Sequence, residues 1–166
     1  MDWLSLLPAA FWSAWVFALG LMVGSFINVV AARLPYEKSL VWPSSRCFAC
    51  YTPIRLTDNV PILGYLRLKG RCRACGAGFS SRYLWVELLT GAAFLALFVL
   101  EVLLNWHQIP GMKFDPKGPN GMVPPVPCIA LFVYHAFLLA GLIAAAVVDA
   151  EHHVIPAAIT YPVMLV

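Results

Sequence analysis

Two short cysteine motifs of identical spacing stand out, Cys47-Phe-Ala-Cys50 and Cys72-Arg-Ala-Cys75. A Cys-x-x-Cys turn aims two thiolates at one point, and two such turns complete a tetrahedron around zinc with Zn–S distances of about 2.3 Å. The 21 residues between the pairs slightly exceed the roughly 15–20 usual for such sites, and the pattern remains specific. Gly76 and Gly78 supply the turn freedom that a knuckle needs. Arg46, Arg71 and Arg73 flank the cysteines and offset the double negative charge of a zinc tetrathiolate. The expectation is a closed, structural zinc site on Cys47, Cys50, Cys72 and Cys75. Rubredoxin-like iron and a redox dithiol are the competing readings. Cys128, at the head of an apolar run, reads as a buried thiol.

The second chemical candidate is Asp149, which closes an uncharged run from Cys128 to Val148. Ionisable groups at membrane depth are costly and usually functional; the bland reading is an interfacial carboxylate that has left the lipid. Aspartic proteolysis needs two carboxylates close enough to share a proton, one acting as base on water while the other donates. Glu151 would face away from Asp149 on a helix and makes a poor partner. Glu87 could approach in space, although a salt-bridging or interfacial role is simpler. His152 and His153 could tune Asp149 or bind metal, and interfacial surface histidines are the simpler reading. His107 and His135 have no partner that sequence alone can name.

These groups need a frame, and composition says which kind. Hydrophobic residues make up 61% of the 166 and charged residues 11%. Soluble domains run near half apolar and about a quarter charged, so an all-α integral membrane protein is expected. Ala9 to Ala32 is uncharged over 24 residues, long enough to cross about 30 Å of hydrocarbon at about 1.5 Å per residue. The bases follow this run and Asp2 precedes it, which argues against a cleavable signal peptide. Trp12 and Trp15 suit an interface. Gly20 and Gly24 form a small-xxx-small packing face, with Ser25 and Asn28 near it. Leu34-Pro35 stops the helix.

The predicted organisation is a first transmembrane helix over 1–33, a cysteine domain over 34–83 and a second transmembrane helix over 84–104. An external loop follows over 105–127, rich in Pro and Gly. The third helix and a fourth apolar run, beginning near Ile155, occupy 128–166 as the start of a further domain. Glu87 and Glu101 mark the two edges of the second span. No internal repeat is evident. Nine of the eleven Lys and Arg lie between Arg33 and Arg82, opposed only by Glu37 and Asp58, a net +7. The positive-inside tendency therefore places the cysteine loop and Asp149 on the cytosolic side. That compartment is reducing, which favours metal over disulfides. A basic loop there meets anionic lipid, and no nucleic-acid partner is expected.

Taken together, the motifs resemble one family. Gly20-Leu-Met-Val-Gly-Ser-Phe-Ile-Asn-Val-Val-Ala-Ala-Arg-Leu-Pro35 looks like the opening helix of the bacterial type IV prepilin peptidases, also called leader peptidase/N-methyltransferases, with their Gly-Ser-Phe-x-Asn-Val signature. The two knuckles, the segment Leu56 to Leu66 between them and Ser81 to Thr90 after them are similar to the family's amino-terminal domain. Val148-Asp149 with Ile155-Pro156 and Thr160 resembles the segment that carries its first catalytic aspartate. The resemblance implies a bacterial inner-membrane aspartic endopeptidase of the Gly-x-Gly-Asp type. It implies cleavage of the basic leader of type IV prepilins and pseudopilins in pilus and type II secretion systems. It also implies methylation of the new amino terminus by S-adenosylmethionine, an activity associated with the cysteine domain.

The family's second aspartate lies in a Gly-x-Gly-Asp motif, and no such motif occurs in these 166 residues. Asp149 is then half of a dyad, and the expectation is an amino-terminal portion that does not cleave alone. A non-catalytic membrane zinc module that docks pilus-assembly or secretion partners is the alternative. No Gly-rich nucleotide fingerprint appears, so the S-adenosylmethionine site is not placed by sequence. A basic leader also makes an odd electrostatic match for the +7 loop.

Overall fold

The computed structural model describes residues 7–110, 114–115, 121–154 and 156–164. Asp2, Ile155 and residues 111–113 and 116–120 of the Pro- and Gly-rich segment lie outside the described residues. Helix α1 spans Leu7–Arg33 and leads into a 3-10 turn at Leu34–Tyr36, where Pro35 ends the α-helical hydrogen bonding. A short helix α2, Leu63–Arg67, lies between the knuckles. Helix α3, Arg82–Phe98, continues through a π-helical turn at Val99–Leu103. Helix α4 is Val126–His152, with prolines at Pro125 and Pro127 where its first turn needs no donor. Helix α5 is Ala157–Met164. Among the described residues there is no β-strand.

Leu7–Tyr36, Arg82–Leu103 and Val126–His152 are each long and apolar enough to cross a membrane. Phe11, Trp15, Met22 and Phe26 of α1, Trp85 and Leu89 of α3 and Phe137 of α4 point outward. Large apolar side chains on the outside of helices that satisfy their own backbone suit lipid. The chain is an all-helical membrane protein.

The small residues set how closely the helices approach. A Cβ added to Gly20 would lie 2.8 Å from the Gly91 Cα, and one added to Gly24 would lie 2.7 Å from the Glu87 Cα. Gly91 answers from α3, where a Cβ would meet Leu21 Cδ2 at 2.6 Å. The glycine face is therefore a packing face between α1 and α3. Helix α4 closes the bundle in two layers. At one end Phe132 meets Phe94 and Phe98 edge-on, with centroids 6.4 and 5.7 Å apart. At the other, Ile27, Ala31, Val86 and Val148 share a core. Trp12 Nε1 donates to the Met122 carbonyl at 2.9 Å, latching α1 to the segment before α4.

Candidate metal centre and the cavity beside it

Each knuckle is a backbone device. The Tyr51 amide donates to the Cys47 carbonyl and the Gly76 amide to the Cys72 carbonyl, both at 2.9 Å. The Cys47 amide donates to Thr52 at 3.0 Å, and the Cys72 amide to Ala77 at 2.8 Å. Single antiparallel bridges, Arg46 with Pro53 and Arg71 with Gly78, close the two turns. Every one of these residues has its counterpart 25 positions later, so the module is a duplicated knuckle where no repeat was expected. The signal was in the sequence as Arg-Cys-x-Ala-Cys, at Arg46 to Cys50 and Arg71 to Cys75. The residue after the second cysteine takes a left-handed conformation in both copies, Tyr51 at φ 57° and Gly76 at φ 74°. Gly76 meets that demand without a Cβ penalty. Gly78 makes no such demand, contrary to expectation, and Gly70 (φ 66°) does.

The four sulfurs converge. Cys47 Sγ lies 3.8 Å from Cys75 Sγ, and Cys50 Sγ lies 3.9 Å from Cys72 Sγ. All four lie within 4.8 Å of one another. A tetrahedron with bonds of about 2.3 Å has edges of about 3.8 Å, whereas a disulfide needs about 2.05 Å. The cluster therefore fits a zinc ion. Its electrostatics agree, because two thiols are favoured as thiolates: backbone hydrogen bonds from Cys75 and Ala74 lower Cys72, and Cys50 is lowered too. Side-chain hydrogen bonding with Thr52, at 3.2 Å, and then backbone hydrogen bonding with the same residue hold Cys50 down at about 6. At Cys75 the backbone hydrogen bond from Ala77 lowers the value. Hydrogen bonding with Cys50, burial and the other thiols outweigh it and push Cys75 up to about 12. Packed thiols resist carrying several negative charges together, and a dication removes that conflict.

Asp58, one of the two acids in the basic segment, holds the module together. Its side chain is 3% exposed. It accepts hydrogen bonds from Arg73 Nε at 2.8 Å, Arg73 Nη2 at 2.6 Å and Arg67 Nη2 at 2.8 Å. The Arg73 hydrogen bonds, with those of Arg67, hold the carboxyl at about 2. The pairing is bidentate, the strong form of this interaction.

A cavity of about 240 Å³ separates the cysteine module from α1 and α3. Ser25, Asn28, Arg46, Tyr65, Tyr83 and Glu87 are among its lining residues. Asn28 is 3% exposed. Its Nδ2 donates to the Tyr83 carbonyl at 3.1 Å, and its buried Oδ1 has no hydrogen-bond partner. Glu87 is corrected by the structure. It has no salt bridge among the described residues: it is buried, and its Oε2 accepts the Ile62 amide proton at 2.7 Å. Ile62 sits at φ 59° and ψ −54° just before α2, a conformation that a β-branched residue adopts only under constraint.

Asp149 lies exposed on the last turn of α4. Its carbonyl accepts the His153 amide at 2.8 Å, in a left-handed cap that ends the helix. Three contacts fix this end of α4 beside the cysteine module. Glu151 pairs with Arg82 at the start of α3. His152 Nε2 lies 3.1 Å from the Ala31 carbonyl, and its ring meets Tyr36 edge-on at 5.5 Å. His152 is thus a packed residue rather than the surface histidine expected. Asp149, Cys47, Cys50, Cys72 and Cys75 all stand at one end of the bundle. His107 and His135 do have a partner, Glu101, at the opposite end. Antiparallel neighbours bring the close of one span beside the opening of the next, and that signal was available from the predicted helices.

Three membrane-spanning helices with a four-cysteine module between the first two define a membrane protein with an insert whose cysteines are placed to hold a metal ion. The chain matches the bacterial Peptidase A24 N-terminal domain over residues 18–100, half its length, and belongs to that family. It is 37% identical over 164 residues to a prepilin leader peptidase/N-methyltransferase of Myxococcus xanthus, covering 97% of this chain and 42% of that protein. A Klebsiella pneumoniae protein of the same name is 38% identical over 159 residues, covering 92% of this chain and 59% of the relative. The type 4 prepilin-like proteins leader peptide-processing enzyme of Escherichia coli O78:H11 is 34% identical over 163 residues, covering 87% and 51%. The chain thus spans about half the length of these relatives. No solved structure matches it significantly.

Proposed function

We propose that the chain works as the amino-terminal part of a prepilin leader peptidase and N-methyltransferase in the bacterial inner membrane. Asp149 is one of two catalytic carboxylates, and these 166 residues contain no Gly-x-Gly-Asp motif to supply the second. The observation that carries this reading is that α4 delivers Asp149 to the end of the bundle where the cysteine module sits. The concentration of bases at that end supports a cytosolic orientation, where the leader–mature junction of a prepilin or pseudopilin would meet Asp149. There Asp149, paired with a second carboxylate, takes a proton from the attacking water while its partner protonates the leaving amine. Cys47, Cys50, Cys72 and Cys75 hold a structural zinc ion that leaves no open position for substrate.

S-adenosylmethionine, when bound, supplies the methyl group for the new amino terminus. The chain's residues fit such a cationic ligand at the cavity beside the module. The unpartnered Asn28 Oδ1 and the Glu87 carboxylate are acceptors there, and Tyr65 and Tyr83 offer aromatic surface.

The test is leader removal from a prepilin by the full-length protein, compared with its Asp149→Asn variant. Loss of cleavage with the purified variant still folded and holding about one zinc is expected. Full cleavage by the Asn variant would refute the assignment.

A further inference from the structure

At the end of the bundle away from the cysteines, three side chains from three segments converge. Glu101 comes from the π-helical turn Val99–Leu103, His107 from the following loop and His135 from the third turn of α4. Glu101 Oε1 lies 2.5 Å from His135 Nδ1 and 3.7 Å from His107 Nε2, and the potential ligand atoms all lie within 4.8 Å of one another. The imidazole rings are 6.1 Å apart. We propose that Glu101, His107 and His135 form a second metal site, which binds a divalent transition ion of the zinc class.

Three observations support it. Glu101 has a side chain only 6% exposed, near the far end of a helix long and apolar enough to cross a membrane. A carboxylate in such a place is costly unless a cation or donors meet it. Its Oε2 is buried with no hydrogen-bond partner, and His135 Nδ1 has none of acceptable geometry despite its closeness to Oε1. The 2.5 Å between Oε1 and Nδ1 is shorter than the edge of about 3.3 Å that a zinc shell with bonds of about 2.0–2.1 Å requires, so the two groups must part by about 0.8 Å when an ion enters between them. The backbone adds a third sign, since π-helical turns within α-helices recur at functional sites. Here the turn carries Glu101 itself.

Two imidazoles and one carboxylate, with a fourth position open to water, is a donor set that zinc accepts at about 2.0–2.2 Å. Copper, nickel and iron share the preference for imidazole, while magnesium and calcium favour all-oxygen sites. His107 Nε2, at 3.7 Å from Oε1, already stands near the edge of about 3.3 Å, and its side chain, 46% exposed on a loop, is free to adjust. Metal here clips the end of α3 to α4.

The experiment counts zinc by elemental analysis in detergent-purified protein, loaded with zinc and freed of excess. The wild type is expected to hold about two equivalents. His107→Ala and Glu101→Gln should each lose about one, and Cys47→Ser with Cys72→Ser should keep one. Cobalt substitution reports the thiolate site separately, through its sulfur-to-metal charge-transfer band. An unchanged band in His107→Ala shows that the fold and the first site survive. A wild type holding one equivalent, with none left in the double cysteine variant, overturns the proposal and leaves a buried Glu101–His135 pair. Two equivalents retained in His107→Ala and in Glu101→Gln overturn it as well.

Discussion

Glu87→Ala should loosen the Ile62 segment of the cysteine module from the membrane helices without unfolding either. Glu87 Oε2 accepts the Ile62 amide at 2.7 Å, and few other polar contacts reach from α3 to this part of the module. A hydrogen bond between a backbone amide and a charged acceptor contributes about 1.5–3 kcal/mol. At about 1.4 kcal/mol per decade, its loss raises the open population of the Ile62 segment between about 10-fold and about 150-fold. The strained backbone at Ile62 acts in the same direction, because the contact that holds φ at 59° is gone. Glu87→Gln keeps a neutral acceptor in place and should lose only about half as much.

Hydrogen exchange reads this opening directly at the Ile62 amide and its neighbours in α2. The expected order of protection is wild type, then Gln, then Ala, with exchange in α4 unchanged. Equal protection of Ile62 in wild type and Glu87→Ala would refute the reasoning. So would a Gln variant no better protected than Ala, since the contact would then act through packing alone. Ile62→Gly supplies the converse check: removing the Cβ relieves the strain and should make the segment less sensitive to Glu87→Ala.

Gly24→Ala places a Cβ 2.7 Å from the Glu87 Cα, against ordinary contacts of about 3.5–4.0 Å, so α1 and α3 must part by about 1 Å. A cost of about 1–3 kcal/mol is expected as a lower thermal midpoint in detergent, and Gly78→Ala, which meets nothing within 4 Å, serves as the unaffected control. Asp58→Asn should loosen the second knuckle in a pH-dependent way. The carboxyl sits at about 2 when folded against 3.8 ordinarily, so its contribution is full above about 3.8 and fades as pH falls through about 2. Hydrogen exchange around Arg73 should therefore differ between wild type and variant equally at pH 7 and pH 5, and converge near pH 2; a difference that persists there would contradict the role given to Asp58.

Composition and spacing carry some features far and others not at all. The three apolar spans are legible because membrane thickness sets a minimum length that few other structures demand. The four cysteines are legible because Cys-x-x-Cys is a local geometry, complete within four residues. Glu87, Asn28 and Glu101 were misjudged or passed over for a shared reason. Each lies on a helix whose neighbours, not its own sequence, decide what the side chain meets. Glu87 stands at the edge of its span by position, yet Gly24 lets α1 close over it so tightly that it is buried. His135 sits in a run of apolar residues that says nothing of Glu101, 34 positions earlier. The duplicated knuckle was missed for a different reason: the match is five residues long, and its equivalence is written in amide–carbonyl pairings rather than side chains.

The same contacts link the module to Asp149. The chain leaves the second knuckle and enters α3 at Arg82, and Arg82 pairs with Glu151, two residues beyond Asp149. On the other side, Arg33 at the close of α1 donates to the carbonyls of Ser39 at 3.0 Å and Pro43 at 2.8 Å, while His152 rests against Ala31. The end of α4 is therefore held between the two points where the polypeptide enters and leaves the cysteine segment. A rigid module fixes the separation of those points, and a loosened one does not. Under the proposed function, metal held by the four cysteines would act on cleavage by position alone. Its loss should first free the turn that carries Asp149, while the glycine-packed contact of α1 with α3, deep in the bundle, stays as it was.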